Sequence, residues 1–266
     1  MSDDSAPDDG VLKGRVALVT GGSRGLGRAM VLAFARAGAT VAIVSRKAYA
    51  CAELAAEVRR DFGVDATGHA CHVGRWSDVD ALVAEVYERH GQVDVLVNNA
   101  GIAPLYPSLA EVTEDLFDKV IGVNLKGPFR LSALVGARMR GGDGGSIINV
   151  SSVAAIRPGP NDLPYAAAKA GLDALTAGFA LAYGPKVRVN TIMAGPFLTD
   201  IAAGWDMDVF GEMTKAYPLG RGGEPDEIVG AAMYLATEAS SFTTGSVLRV
   251  DGGQGISNPG VVPGGA

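Results

Sequence analysis

The sequence predicts an α/β fold: a single, Rossmann-like, doubly wound domain in which helices flank a seven-stranded parallel sheet. Short apolar runs alternate with longer helical patterns from Arg15 almost to the end of the chain, and this alternation brings the strands into one open sheet rather than two domains. The first run, Val16–Thr20, is apolar up to its last residue, as expected for a parallel strand covered on both faces. A glycine-rich turn follows it directly and opens the first helical pattern.

Each apolar run and each helical pattern defines one predicted element. The predicted strands are residues 16–20, 41–44, 66–71, 93–97, 146–150, 187–192 and 246–250. The predicted helices are residues 25–37, 47–62, 77–90, 113–123, 165–183 and 225–237. Ser77 or Asp78 is expected to cap the third helix, and the Gly127-Pro128 pair leaves the continuation of the fourth helix open. The domain is expected to span residues 12–256, with loose tails at residues 1–11 and 257–266.

The composition sets limits on the class of protein. Of the 266 residues, 48% are hydrophobic and 20% are charged, which allows a sizeable buried core and excludes a disordered chain. The net charge of −6 argues against nucleic acid as the main partner, because phosphate-backbone binding needs a basic face. The acidic N-terminus lacks the pattern of a signal peptide, and no run of about 18 apolar residues indicates a membrane span. Cys51 and Cys71 give no disulfide framework, so we expect a cytoplasmic protein without membrane partners.

The turn after the first strand has the composition of a phosphate-binding loop. Its sequence is Thr20-Gly-Gly-Ser-Arg-Gly-Leu-Gly27. Gly21, Gly25 and Gly27 allow the backbone to turn sharply and to approach a pyrophosphate, which the first N–H groups and the dipole of the next helix attract. The spacing G-x-x-x-G-x-G differs from the common dinucleotide fingerprint. The alternative is an ordinary strand–helix turn, but the position between the first strand and the first helix favours cofactor binding.

The residues after the second strand indicate which nicotinamide cofactor is bound. A carboxylate at this point would hold the two ribose hydroxyls of NAD, whereas an arginine accommodates the 2′-phosphate of NADP. The strand ends with Ser45, Arg46 and Lys47 and has no carboxylate, and Arg24 in the glycine-rich turn supplies a second guanidinium. Two guanidinium groups beside a phosphate would make charge-assisted contacts. NADP is therefore favoured over NAD, although Arg46 and Lys47 could simply be solvated at a helix start.

A tyrosine and a lysine lie one helical turn apart in the fifth predicted helix. Tyr165 and Lys169 are four positions apart and therefore share a helix face. A phenol has a pKa of about 10, and a neighbouring ammonium group stabilises the phenolate and lowers that pKa, which would make the phenol a usable proton donor. Ser151 and Ser152 come at the carboxyl end of the fifth strand, where open α/β sheets bind ligands. Either hydroxyl could hydrogen-bond a substrate oxygen beside Tyr165, or could instead cap a loop.

Taken together, the motifs resemble those of the short-chain dehydrogenase/reductase family over about residues 12–256. The resemblance rests on seven motifs in order: Thr20-Gly-x-x-x-Gly-x-Gly27, Asn98-Asn-Ala-Gly101, Val123-Asn124, Ile148-Asn-Val-Ser-Ser152, Tyr165-x-x-x-Lys169, Gly195-Pro-x-x-Thr199 and Val250-Asp-Gly-Gly253. It implies an oxidoreductase that moves a hydride between a nicotinamide cofactor and a carbonyl or alcohol group.

The resemblance also implies roles for individual residues. Tyr165 is expected to be the proton donor in reduction, Lys169 to lower its pKa and hold the nicotinamide ribose, and Ser152 to be the family serine. Asn124 would help to hold a water in the proton relay. Thr199 would contact the nicotinamide carboxamide region. The full set expected to bind the cofactor is Gly21, Ser23, Arg24, Gly25, Leu26, Gly27, Ser45, Arg46, His72, Val73, Asn98, Ala100, Gly101, Tyr165, Lys169, Gly195, Phe197 and Thr199.

Two positions depart from the family pattern. His72 stands where an aspartate usually meets the adenine, and an imidazole can also hydrogen-bond or stack on adenine. Ala194 precedes Gly195 where a proline is usual, which loosens the turn without removing a chemical group. A metal site made by His69, Cys71 and His72 is disfavoured, because strand alternation points the first two to one face and His72 to the other. No metal is expected.

The segment from Ile201 to Tyr217 is expected to lie beside the substrate. It interleaves the apolar residues Trp205, Met207, Phe210, Met213 and Tyr217 with acidic ones. This pattern fits either an amphipathic helix packed on the domain or a mobile cover that excludes water during hydride transfer.

Two substrate classes remain open for the expected enzyme. Residues 222–253 resemble 3-oxoacyl-carrier-protein reductases and related sugar or polyol dehydrogenases. An acidic acyl-carrier partner would need a basic rim, for which the candidates are Lys126, Arg130, Arg138 and Arg140, unless these are simply solvated. The resemblance further implies a homotetramer formed by the long helices and the seventh strand. The alternative function is a non-catalytic nucleotide sensor or scaffold on the same fold, although such proteins usually lack the tyrosine or the lysine.

Overall fold

A computed structural model describes residues 10–199 and 206–257 and confirms the predicted fold class. Seven parallel strands form one sheet in the order β3-β2-β1-β4-β5-β6-β7. The strands are β1 (Val16–Thr20), β2 (Thr40–Ser45), β3 (Ala66–Ala70), β4 (Val95–Asn98), β5 (Gly145–Ser152), β6 (Val187–Ala194) and β7 (Val247–Val250).

Helices cover both faces of the sheet. They are α1 (Gly25–Arg36), α2 (Ala48–Phe62), α3 (Trp76–His90), α4 (Glu114–Ile121), α5 (Gly127–Gly141), α6 (Leu163–Tyr183), α7 (Met207–Thr214) and α8 (Val229–Ala236). Short 3-10 turns occupy Leu109–Glu111, Val153–Ala155, Pro225–Ile228, Glu238–Ser240 and Gln254–Ile256. Among the described helices, none is long and apolar enough to cross a membrane.

Strand alternation divides the interior into two hydrophobic clusters. Ala17 and Val19 of β1 pack with α1, α2 and α8, whereas Leu18 points to the opposite face and packs with α3, α5 and α6. Both faces of β1 are therefore buried, which explains why its sequence is continuously apolar rather than alternating. The strand order reverses between β1 and β4, and this switch point opens a crevice at the carboxyl ends of the strands.

The region around Gly127-Pro128, which the sequence left open, is helical throughout. A π-helical segment, Gly122–Lys126, joins α4 to α5 without a break. Pro128 lies in the first turn of α5, where a missing N–H is tolerated best. Gly127 allows a close approach, because a Cβ there would lie 2.4 Å from the Val73 carbonyl oxygen. The helix continues because glycine permits this contact and the π turn accommodates the proline.

Several predicted boundaries and one predicted cap need correction. β5 continues through both serines and ends at Ser152, and α6 begins two residues earlier than predicted, at Leu163. The 225–237 helix starts as a 3-10 turn. Neither Ser77 nor Asp78 caps α3, whose N-cap is Arg75, because the Asp78 carboxylate instead accepts a bond from the His72 backbone N–H at 3.4 Å.

The segment expected to lie beside the substrate forms α7 where it is described. Phe210 and Tyr217 are buried, while Met207 and Met213 are exposed, which is the pattern of an amphipathic helix. Trp205, most of both predicted tails and residues 200–204 lie outside the described residues. Movement of this segment as a cover stays a prediction.

Candidate active site

A cleft of about 730 Å³ lies at the carboxyl ends of the strands, at the switch point between β1 and β4. The predicted site residues that line it are Gly21, Ser23, Arg24, Gly25, Leu26, Ser45, Arg46, His72, Val73, Ala100, Gly101, Ser152, Tyr165, Lys169, Gly195, Phe197 and Thr199. Three further residues, Gly27, Asn98 and Asn124, do not line the cleft, and each has a structural role described below.

The glycine-rich turn leaves no room for side chains at the positions of its key glycines. Gly21 and Gly25 have φ values of +64° and +52°, in the left-handed region that favours glycine. A Cβ at Gly27 would lie 2.1 Å from the Gly21 carbonyl oxygen, and one at Gly25 would lie 3.3 Å from the Thr199 side chain. The N-terminus of α1 opens onto this turn, so its first N–H groups are available for an anion. The turn is a cradle that fits a pyrophosphate.

The end of β4 is fastened to this turn by hydrogen bonds. The Thr20 hydroxyl donates to the Val97 carbonyl oxygen at 3.1 Å and accepts from the Asn99 and Ala100 backbone N–H groups, also at 3.1 Å. The Asn99 amide donates to the carbonyl oxygens of Thr20 and Gly21. Thr20 and Asn99 therefore hold two cofactor-side loops in a fixed relation, and sequence reasoning gave neither a role.

The structure corrects the expected role of Asn98. This residue is 1% exposed, and its amide donates to the Ser132 hydroxyl at 3.0 Å and to the Asn149 carboxamide oxygen at 2.8 Å. It therefore ties β4 to β5 and α5 inside the core, whereas Asn99 lines the cleft. Because successive residues of a strand point to opposite faces, only one of two adjacent asparagines can face the cleft, and the sequence alone did not show which.

The other end of the cleft carries the cationic groups. Arg24, Arg46 and Lys47 line it together with His72. The Nδ1 atom of His72 is buried and has no hydrogen-bond partner among the described residues. This nitrogen is inaccessible although the cleft is open, and it lies on the side of Gly74, where a Cβ would be 3.2 Å from it. The glycine cradle and the cations of the cleft are the features that fit a dinucleotide.

Tyr165 and Lys169 face the same cleft from the first turns of α6. The Lys169 ammonium nitrogen lies 5.6 Å from the centre of the Tyr165 ring and donates to the Val150 carbonyl oxygen at 2.7 Å. Lys169 is buried, whereas Tyr165 is half-buried. A Cβ at Gly101 would lie 3.0 Å from the Asn124 side-chain oxygen and 3.7 Å from the lysine nitrogen, so glycine at this position leaves room for the Asn124 carboxamide.

The protonation of this pair differs from the expectation drawn from the sequence. Burial raises the pKa of Tyr165, a hydrogen bond with Ser152 lowers it in part, and the negative charge of Asp162 raises it further. Burial also lowers the pKa of Lys169 to about 8, against an opposing effect of Asp173. Burial is thus the largest cause of both shifts.

The two serines at the end of β5 have different partners. The Ser152 hydroxyl accepts from the Ala154 N–H at 3.2 Å and is close enough to Tyr165 to lower the pKa of that phenol in part, so it both caps the following 3-10 turn and lies beside the tyrosine. Ser151 is 2% exposed and donates to the Lys169 carbonyl oxygen at 3.3 Å. Ser152 is therefore the serine beside the tyrosine, and Ser151 supports the start of α6; the catalytic role of Ser152 stays a prediction.

Asn124 lies in the π-helical segment and joins α4 to the loop after β4. Its carboxamide accepts from the Ile102 N–H at 3.2 Å and donates to the carbonyl oxygens of Ile102 and Val120 at 2.8 and 2.9 Å. The side chain is therefore fully occupied by backbone groups. Pro128 has no N–H to donate to the Asn124 carbonyl oxygen four residues earlier. The water-holding role expected for Asn124 stays a prediction.

The candidate metal ligands are not arranged as strand alternation suggested. His69 contacts Glu85 and Thr67 on the side of α3, while Cys71 lines the cleft together with His72, because β3 ends at Ala70 and both residues lie beyond the strand. Among residues 10–199 and 206–257, no group of three or more His, Cys, Asp or Glu side chains is arranged to hold a metal ion.

Comparison with known proteins identifies the family. Residues 21–254 match a family model described as enoyl-(acyl carrier protein) reductase. The chain is 37% identical over 247 residues to D-threitol dehydrogenase from Mycolicibacterium smegmatis, which covers 92% of this chain and 94% of the relative. The chain belongs to the short-chain dehydrogenase/reductase family. It is also 39% identical over 246 residues to L-rhamnose 1-dehydrogenase (NAD(P)(+)) from Azotobacter vinelandii, covering 90% of this chain and 96% of the relative.

Solved structures agree with this assignment. A crystal structure of a short-chain type dehydrogenase/reductase from Mycobacterium marinum has a TM-score of 0.84 and 30% sequence identity, and the match covers 93% of this chain and 97% of that one. This short-chain dehydrogenase/reductase is thus an oxidoreductase that acts on alcohol or ketone groups. Its family uses nicotinamide nucleotides, and sugar and polyol dehydrogenases are among its relatives.

Proposed function

We propose that the protein interconverts a secondary hydroxyl and a ketone on a sugar or polyol, with NADP as the preferred cofactor. The pairing of Tyr165 and Ser152 carries this proposal, because both hydroxyl-bearing side chains line the cleft that also contains the glycine cradle and Ser152 is close enough to lower the pKa of Tyr165 in part. Two such groups can together hold one substrate oxygen.

The proposed mechanism assigns proton transfer to Tyr165. When bound, the nicotinamide supplies or accepts the hydride. In reduction, Tyr165 donates its proton to the carbonyl oxygen while Ser152 hydrogen-bonds the same oxygen. A phenol with an ordinary pKa of about 10 is protonated near neutral pH, and burial raises the pKa of Tyr165 further, so the proton that reduction needs is present on the hydroxyl. In oxidation the phenol must first lose its proton, so turnover in that direction should rise with pH.

NADP preference is supported by the cations of the cleft. Arg24 and Arg46 line it with Lys47, and the end of β2 carries no carboxylate. Arg46→Ala should weaken NADP binding about 10-fold or more, because a charge-assisted bond to the 2′-phosphate is lost, and should leave NAD binding nearly unchanged. Fluorescence titration with both cofactors measures this, with Arg60→Ala on the exposed face of α2 as the control. Equal weakening of both cofactors would contradict a 2′-phosphate contact.

Two of the basic residues that could form an acyl-carrier rim already have partners. Arg130 donates to both oxygens of Asp80 at 2.6 and 2.9 Å and lies over the Trp76 ring. Arg138 donates to the Val83 carbonyl oxygen and lies over the Tyr87 ring. Such occupied groups are poorly suited to an acidic carrier protein, which favours the sugar or polyol class over the carrier-bound acyl class.

We also propose a cytoplasmic homotetramer. Both cysteines are free and buried, as suits a reducing compartment. Two apolar surfaces could pair with copies of the chain: a row of ring contacts through Trp76, Phe129 and Phe179, and a patch beside β7 where Leu181 and Phe242 are 88% and 104% exposed. Light scattering of the purified protein should give a tetramer, and Phe242→Asp should reduce it to a dimer. A monomeric wild type would refute the assembly.

The substrate proposal is tested on the wild-type enzyme. Purified protein is incubated with NADP or NAD and a panel of polyols, sugars, simple secondary alcohols and hydroxyacyl thioesters, and nicotinamide reduction is followed by absorbance. The expected result is the highest kcat/KM for a polyol or sugar with NADP. Preference for a thioester would move the enzyme to the acyl class, and turnover of none would overturn the proposal.

A further inference from the structure

The cleft has an outer end lined by residues from three segments of the chain. They are the loop after β4, the loop before α6 and the 3-10 turn Gln254–Ile256. The polar side chains that line it are Tyr106, Arg157, Asn161, Asp162 and Gln254. We call this group the outer set. Because the glycine cradle and the cations at the end of β2 are the groups that fit the nucleotide, the outer set is the polar part of the cleft lining left for the substrate.

Two members of the outer set are held by backbone groups. The Arg157 guanidinium donates to the carbonyl oxygens of Gln254 and Ser257 at 2.9 and 2.5 Å and to the Ser257 hydroxyl at 3.2 Å. The Tyr106 hydroxyl donates to the Pro160 carbonyl oxygen and accepts from the Leu163 N–H, both at 3.0 Å. These groups build the walls of the outer end.

Asp162 is placed differently. It occupies the N-cap position of α6, yet its side chain makes no capping bond to the helix, although capping is the usual role of an aspartate there. One carboxylate oxygen instead accepts from the Gly159 N–H at 2.8 Å. The residue is half-buried, lines the cleft and forms no salt bridge with a cation of the described chain. A carboxylate oxygen is thus left for a ligand.

The position of the Asp162 carboxylate disfavours ionisation of the neighbouring Tyr165. Its negative charge raises the pKa of Tyr165, three residues away, and so opposes formation of the phenolate that oxidation needs. An asparagine or serine would accept the Gly159 bond without that charge. An aspartate at this position is therefore explained if its charge has a function that offsets the rise in the pKa of Tyr165.

We propose that Asp162 is a specificity-determining residue, whose carboxylate accepts a hydrogen bond from a substrate hydroxyl other than the one that is oxidised. An ionised carboxylate only accepts hydrogen bonds, so it favours a neutral substrate with several hydroxyls. It repels substrates that carry a carboxylate or phosphate. This inference rests on the proposed function and narrows it to neutral polyhydroxy compounds.

The test compares Asp162→Asn with the wild type on two substrates at several pH values. Asparagine keeps an oxygen for the Gly159 N–H and removes the charge. For a four-carbon polyol relative to 2-butanol, the ratio of kcat/KM values should fall about 10- to 100-fold, the range of one charge-assisted hydrogen bond. The alkaline limb of 2-butanol oxidation should move to lower pH, because loss of the nearby negative charge lowers the pKa of Tyr165. Asp226→Asn, an exposed site outside the cleft, is the matched control.

The outcomes separate this inference from the proposed function. If the wild type oxidises no polyol or sugar, the proposed function fails. If it does so but Asp162→Asn leaves the polyol to 2-butanol ratio unchanged, only the role of Asp162 is overturned. An equal loss on both substrates without movement of the pH profile would assign Asp162 a structural role and also overturn it. A rise in turnover of a hydroxy acid in the variant would support charge repulsion.

Discussion

Two clusters of polar side chains lie at different parts of the same sheet, and only one of them faces the main cleft. The first joins Ser152, Tyr165 and Lys169 at the carboxyl ends of the central strands. The second lies at the edge strand β3, where the Thr67 hydroxyl is 2.8 Å from the His69 Nε2 atom and 3.0 Å from that of His90. The His69 Nδ1 atom is 3.0 Å from the Glu85 carboxylate.

By residue type, the second cluster, here called the β3 cluster, looks as reactive as the cluster of Ser152, Tyr165 and Lys169. A hydroxyl, an imidazole and a carboxylate in hydrogen-bond contact are the parts of a nucleophile and its base, and a surface cavity of about 660 Å³ adjoins them. Yet the hydroxyl is shared between two imidazoles whose side chains are 4% and 5% exposed, so it joins β3 to α3. Position at the switch point of the sheet, rather than residue type, distinguishes the site that performs the chemistry.

Among the substitutions that test this comparison between the two clusters, one in the glycine cradle is expected to have the largest effect. Gly27→Ala places a methyl group against the Gly21 carbonyl oxygen, so the turn must open and cofactor affinity should fall by about 100-fold or more. Calorimetric titration with NADP measures the loss. Gly230→Ala is the control for glycine loss in the first turn of a helix, since its Cβ would meet no atom within 4 Å and its backbone does not have a positive φ. Cofactor affinity equal to that of the wild type would contradict the cradle assignment.

A loss of turnover is expected when the buried ammonium is removed. Lys169→Met should lower kcat by about 10²- to 10⁴-fold, the range of a group that assists proton transfer. Lys186→Met is the matched control, because Lys186 also donates to a backbone oxygen, that of Gly142 at 2.9 Å, but is exposed. Stopped-flow rates of both variants give the comparison. A similar decrease in the two variants would show that the effect is structural.

A smaller effect, on stability alone, is expected at the β3 cluster. Thr67→Val keeps the shape of the side chain but leaves two buried imidazole nitrogens without their partner, which should lower the free energy of unfolding by about 1–3 kcal/mol. Urea unfolding measures this, with the more exposed Thr243→Val as the control. The kcat/KM value should stay within about twofold of the wild type, and a larger decrease would mean that the β3 cluster takes part in the reaction.

The smallest effect concerns pH. Burial lowers the pKa of His90, while the charge of Asp65 opposes the shift and those of Arg89 and His69 add to it. The folded state therefore binds fewer protons than the unfolded state near and below the ordinary histidine pKa of about 6.5. Stability should be full above that pH and should be lost as the pH falls. His90→Gln should flatten this dependence in unfolding curves at pH 5 and 7; an unchanged slope would remove His90 as the cause.

Local patterns predicted much of the fold and of the site. The apolar run of β1 and the glycine spacing after it depend only on neighbours in sequence, as does the one-turn separation of Tyr165 and Lys169. Contacts between distant elements were not predictable: Asn99 rather than Asn98 faces the cleft because of strand alternation set by the whole sheet. Thr67 meets His90, 23 residues later, only because α3 packs against the edge of β3.

The protonation of the site was also beyond sequence reasoning. The spacing of Tyr165 and Lys169 suggested that the ammonium lowers the tyrosine pKa. Burial of both groups depends on how α6 packs against β5, and that burial decides the direction of both shifts. The sequence can thus predict that two residues one helical turn apart meet, but it cannot predict how far they are buried from solvent.

The central claim is that Tyr165 transfers the proton, and Tyr165→Phe tests it most directly. Phenylalanine keeps the ring beside Lys169 and removes only the hydroxyl. The account predicts that turnover of the best substrate falls by at least about 10²- to 10⁴-fold, while NADP affinity measured by titration stays within about twofold. Turnover close to that of the wild type, with cofactor binding intact, would contradict it.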